Sequence, residues 1–191
     1  MVPPKEPIGY WKSTLEGRPE FVNAIGMISI ENANLEAALA DLLAGVLNVR
    51  DDVGRAIYFE PRAAILRIDI LDAAAKSRFR PKQEEDRFYE NEAGKAEALK
   101  EVADIVRRAK SAVGRRHEVI HDAWGIDDDS GEVMRAAHPA EGHLEDINTL
   151  NVLIADIRGV VTTAKNLRRK WRHHSPTLID LRLEPRDKSP G

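Results

Sequence analysis

From Phe21 onward the apolar residues recur in alternating steps of four and three. Phe21, Ile25, Ile28, Asn32, Leu35, Leu39, Leu42 and Val46 make one line, which Val22, Leu43 and Leu47 widen. This is the period of an α-helix with one buried face; a half-buried strand would alternate every second residue. A stripe that long has to be covered, so the chain must supply other elements to lie against it. Asn32 is the single polar member of the line, and a buried Asn at such a position sets register between helices.

Composition agrees with that reading. The 191 residues suffice for one domain with a real apolar core, and 42% hydrophobic with 32% charged residues describes a globular chain rather than a disordered one. Aromatics make up only 5%, which favours helices over sheets. The net charge of −3 gives no global attraction to nucleic acid or membranes, so any basic site must be local. Cysteine is absent, which removes disulfides, thiolate metal sites and cysteine nucleophiles together. No apolar run approaches membrane-spanning length, and the opening MVPPKEPIGYWKS lacks the apolar segment of a signal peptide. The expected location is the cytoplasm, with no membrane partner.

Residues 1–19 carry four prolines and read as a flexible arm. A second segment begins at Asp51-Asp52 and restarts at Glu60-Pro61, with Ala64, Ile68, Leu71 and Ala75 as its stripe and Ile65 and Phe79 beside them. Residues 80–91 are polar and read as a connector. A third helix runs from about Glu92 on Leu99, Val102, Val106, Ala109, Val113 and Ile120, until Gly125 and the acidic IDDDSGE end it. His138-Pro139 is the expected start of a fourth, whose apolar face is Ile147, Leu150, Ile154, Ile157, Val161, Ala164 and Trp171, with Arg168 as the exception. Residues 175–191 read as a tail. No repeat and no strand pair stands out. The expectation is all-α: an antiparallel bundle of four long helices plus short segments over residues 20–174, assembled as a dimer.

The third helix ends on RRHEVIHDAWG, residues 115–125. Helical geometry puts His117 near the centre line of the apolar stripe, four residues after Val113. It puts Arg116, at the skipped stripe position, and His121 on the two flanks. Arg115 and Glu118 point toward solvent. Polar groups on a packing face are costly unless something uses them. One parse is HEVIH, in which His117 and His121 bind zinc and Glu118 activates water, as in metallopeptidases. That parse needs a third ligand, for which Glu141 or His143 could serve, and a strand edge to hold peptide; Trp124 and Asp127 stand where the extended motif has Gly and His.

The other parse is Arg116, His117, three residues, then His121. It resembles the HEPN family (higher eukaryotes and prokaryotes nucleotide-binding domains), whose signature is an Arg, a polar residue and a His near the end of a long helix. Trp124 resembles a continuation seen in a subgroup of that family, and the long opening helix and the segment RAAILRIDILDA are similar too. The resemblance spans residues 20–172, with Arg116, His117 and His121 as its diagnostic core. It implies a metal-independent, cofactor-free endoribonuclease, related to toxin or defence systems, with its site at a homodimer groove and an antitoxin-type protein as a further partner. It assigns His121 as acid or base, Arg116 as phosphate clamp and His117 as positioning residue or second proton carrier. The chemistry suits RNA, whose 2′-hydroxyl is its own nucleophile, so proton transfer and charge stabilisation suffice. A second candidate lies in NLRRKWRHH, where Arg168, Arg169, Lys170 and Arg172 surround Trp171 and could hold phosphates and stack a base. The alternative in a different class is a non-catalytic helical module that binds a nucleotide or a protein.

Overall fold

The computed structural model describes residues 15–79, 92–127, 130–136 and 142–174. Among them are five helices: α1 (Pro19–Leu47), α2 (Asp51–Phe59), α3 (Ala64–Phe79), α4 (Glu92–His121) and α5 (Ile147–His174). Three short strands, β1 (Ala123–Ile126), β2 (Val133–Ala136) and β3 (His143–Leu144), form an antiparallel sheet in that order. The fold is thus mostly helical, but with five unequal helices and a small sheet. The expected connector 80–91, the proposed start at His138-Pro139 and the tail lie outside the described residues. No described helix is long and apolar enough to cross a membrane.

Helix α1 starts with Pro19 in its first turn, where the missing amide proton is no loss. It stops at Asn48, which adopts the left-handed conformation (φ 55°), while the amides of Asn48 and Val49 return to the carbonyls of Gly45 and Ala44. Its expected stripe is the core: Ile28, Leu35, Leu39 and Leu42 are essentially sealed, and Phe21 and Val46 are buried. Val22 is not part of it and stands half exposed, as does Ile65 on α3. Asn32 is half-buried, and its side-chain oxygen is buried with no hydrogen-bond partner.

Two buried carboxylates on α1 fix how its neighbours run. Glu31 accepts from Arg158 of α5 at 2.8 Å and from Asn34 at 3.1 Å, and Glu36 accepts from Arg67 of α3 at 2.6 Å. Further on, Gly45 lies under Arg168 and Trp171, and Asp51 accepts from Arg168 at 2.9 Å, so α5 runs parallel to α1. Trp171 meets Phe79 with ring centroids 5.5 Å apart, which sets α3 in the same direction. Helix α4 runs the other way, since Glu101 faces Lys170 while Arg115 pairs with Asp156. The expected restart near Pro61 is present as the break between α2 and α3. Gly54 brings α2 onto α1 so closely that a Cβ there would lie 2.3 Å from the Ala44 Cβ and 2.6 Å from its Cα.

The sheet departs from the all-helical expectation. Strands of four, four and two residues are too short to display alternation, and their pairing is made between segments rather than within one. Ala123 to Ile126 pairs with Val133 to Ala136 in antiparallel register, and the turn is closed by hydrogen bonds between Asp127 and both Gly131 and Glu132. Gly131 has φ +69°, and the Asp127 carboxylate accepts from the Ser130 amide. Helix α5 begins at Ile147 rather than near His138. Asp146 accepts from the amide of Asn148 at 2.9 Å, and that bond holds its carboxyl below the usual range.

Two outcomes follow from this packing. Gly54→Ala should lower the urea unfolding free energy by about 1–3 kcal/mol, because backbone must move to admit the methyl. The hydrogen bond from Arg158, aided by Asn34, holds the Glu31 carboxyl below its ordinary value of 4.5. Its stabilising contribution is therefore complete above that value and is lost as pH falls through the lowered one. The unfolding midpoint should drop on acidification in that window, and Glu31→Gln should flatten the drop while being less stable at neutral pH.

Candidate functional site

The last turn of α4 carries the residues that the sequence singles out. His117 and His121 are both exposed, and their rings lie against each other with centroids 4.4 Å apart and planes tilted by 47°. His117 is therefore not on the packed side of the helix. The buried line continues through Arg116, which is half-buried, with Val119 beside it and Ile120 partly covered. At about 20° per heptad, three-and-a-half-residue steps drift by about 50° over five turns, half of the roughly 100° that separates successive residues.

Arg116 stands next to the imidazole ridge on its core side, and its Nε is buried with no hydrogen-bond partner. Among the described residues no carboxylate pairs with it. The two acidic neighbours that might have done so are committed elsewhere. Asp122 accepts from Arg135 at 3.0 Å, and Glu118 lies 3.9 Å from the same guanidinium. Arg135, on β2, also donates from Nε to Glu145 at 2.7 Å; its side chain is 13% exposed and that of Glu145 only 4%. His143 approaches Glu145 at 3.5 Å from the next strand. Arg135 thus ties the end of α4 to the sheet and to the approach of α5.

Trp124 fixes the same turn from another side. Its indole N–H donates to the Val119 carbonyl at 2.8 Å, satisfying one of the acceptors that a helix end leaves open, and its ring meets Phe21 at 6.4 Å. The imidazole ridge is exposed, but the turn beneath it is held by an indole and a guanidinium. Arg135 and Glu145 were not apparent as site residues in the sequence, which offered His143 only as a third zinc ligand. The spacing of Glu118 and Asp122, four apart on one ridge, was the available signal that a cation would face them.

For zinc, the described residues include no group of three His, Cys, Asp or Glu placed to hold a metal ion. Glu141 lies outside the described residues, and His143 is engaged with Glu145. The sheet does remove one objection to the peptidase parse, that no strand exists; the absent third donor remains.

The basic stretch on α5 lies at the other end of the bundle. Lys170 faces Glu97 and Glu101, and the latter's carboxylate raises its proton affinity. His117 is about 24 Å further along α4 than Glu101 at 1.5 Å per residue. Arg168 is bound to Asp51, and Trp171 is half-buried against Phe79. Arg169 is exposed, and Arg172 lies in the helix, its side chain outside the described residues. The two candidate clusters are therefore not brought together. Nearer to the imidazoles, a hollow of about 150 Å³ between α4 and α5 is lined by Arg107, Arg108, Ser111, Arg115 and Asp156.

No family model, no curated protein and no solved structure matches the chain. Arg135→Met should strand two carboxylates and cost about 2–3 kcal/mol of stability. In hydrogen exchange, amides of residues 117–121 should lose protection before those of α1; unchanged protection there would disprove the anchoring role.

Proposed function

We propose that Arg116, His117 and His121 form a metal-independent site for RNA cleavage, of the kind that the HEPN resemblance implies. The observation that carries the reading is the exposed pair of imidazoles, 4.4 Å apart on an anchored helix end, beside an arginine that no carboxylate neutralises among the described residues. In the reaction a neutral imidazole takes the proton of the 2′-hydroxyl. The 2′-oxygen forms its bond to phosphorus as the bond to the 5′-oxygen breaks, and an imidazolium protonates that leaving oxygen. The products are a cyclic phosphate and a free 5′-hydroxyl. Adjacent rings give both proton carriers within one turn, with His121 acting as acid or base and His117 as its complement. Arg116 adds a permanent charge for the phosphate oxygens as negative charge builds.

The nearby hollow holds Arg107, Arg108 and Arg115, each paired with Asp104 or Asp156, so an RNA backbone would reach them only by displacing those carboxylates. A homodimer that places two such helix ends across one groove would double the site, and the exposed ridge leaves room for that approach. A protein that binds over the ridge would act as an antitoxin does, by covering it.

His121→Ala should reduce cleavage of a single-stranded RNA by about 10²–10⁴-fold while helical content is retained. Arg116→Ala should lose a comparable amount, and a chelator should not lower the rate. Full activity in His121→Ala would end the reading, and loss on chelation would favour a metal enzyme.

A further inference from the structure

We infer that His117 and His121 together chelate a divalent transition-metal ion of the zinc class, and that this ion blocks the site rather than serving it. The chelate stands on the geometry alone; its blocking effect rests on the nuclease reading above.

Imidazole nitrogen is a preferred donor for zinc, copper and nickel and a poor one for magnesium or calcium. Two histidines four apart on a helix share one ridge, and here the rings already touch at a centroid distance of 4.4 Å. Among the described residues no carboxylate or carbonyl engages either ring, so both keep a nitrogen for a ligand. A metal held at about 2.0–2.1 Å from each nitrogen would sit over the ridge, with solvent filling its other positions.

Arg116 on one side of the ridge opposes a cation, and two other features favour one. His121 is the last residue of α4, where the unpaired carbonyls form the negative end of the helix dipole. Beside the imidazoles, Glu118 and Asp122 of the adjoining ridge and Glu145 from the segment after β3 gather around the guanidinium of Arg135. That cluster is short of positive charge, and a divalent ion beside it reduces the deficit. Glu118 is 60% exposed on its side chain, and its 3.9 Å approach to Arg135 is the longest of the three. With two firm protein donors the ion is exchangeable, not structural. That suits a regulatory ligand: it occupies the lone pairs that proton transfer needs and leaves when the free metal falls.

The test is a titration of the untagged full-length chain with zinc chloride, and separately with magnesium chloride, followed by heat and by the ring signals of its six histidines. Expected is one saturable zinc site with micromolar affinity, shifted ring signals from His117 and His121, and no magnesium site. His117→Ala and His121→Ala should each weaken zinc at least about tenfold, and His143→Ala should leave it unchanged. Absence of saturation up to about 1 mM zinc, or binding that survives both single substitutions, overturns the chelate. In the RNA assay, zinc should inhibit the wild-type chain with a midpoint matching its binding midpoint. Undiminished cleavage at saturating zinc overturns the blocking role. A zinc-free chain that cleaves no RNA removes the nuclease reading and the blocking role with it, while the titration still decides the chelate.

Discussion

Helix α1 is the surface on which the other four helices assemble, and its buried face sets the terms of the fold. Each large apolar side chain sealed there contributes about 1.5–3 kcal/mol from burial, so the stripe from Phe21 to Val46 dominates the favourable side. Glu31 and Glu36 play a different part. Taking a carboxylate out of water costs several kcal/mol, and its partner arginine does little more than offset this. What the two pairs supply is alignment: Arg158 must meet Glu31 and Arg67 must meet Glu36, which sets α5 and α3 along α1. Gly54 adds a contact of backbone on backbone that only glycine allows.

The far end of α4 is organised on another principle. Val119 and Trp124 join the core there, and hydrogen bonds and ion pairs hold the rest of the turn. Trp124 holds the Val119 carbonyl, and Arg135 gathers carboxylates from the end of α4 and from the segment after β3. An exposed imidazole pair on such a turn has open access and little freedom of position. Those are the two properties that either proton transfer or metal chelation asks of a side chain. Arg116 on one side and the carboxylates on the other make the ridge electrostatically two-faced, which explains why phosphate and cation chemistry can both be argued for it.

Much of the fold was legible beforehand. The stripes of α1, α3, α4 and α5 are buried nearly residue for residue, and the break near Pro61 is present. The failures share a cause. Val22 and Ile65 were assigned to a packed face on type and spacing, but the width of a buried face depends on how closely neighbours approach. His117 lies at a spacing from Val113 that allows the core side, whereas the buried line of α4 passes through Arg116 instead. The sheet was missed because each strand is shorter than the window in which alternation can be recognised.

The sequence by itself determined the helical period, the positions of most core residues and the grouping of Arg116, His117 and His121 within two turns, because all of these act along one helix. Tertiary structure alone decided which way the helices run, which side of α4 the imidazoles face, and that Asp122 belongs to Arg135 rather than to Arg116. Those outcomes depend on contacts between segments up to 127 residues apart, as with Glu31 and Arg158. Local propensity carries no information about such pairs; the competition of charged groups for a limited number of buried partners does.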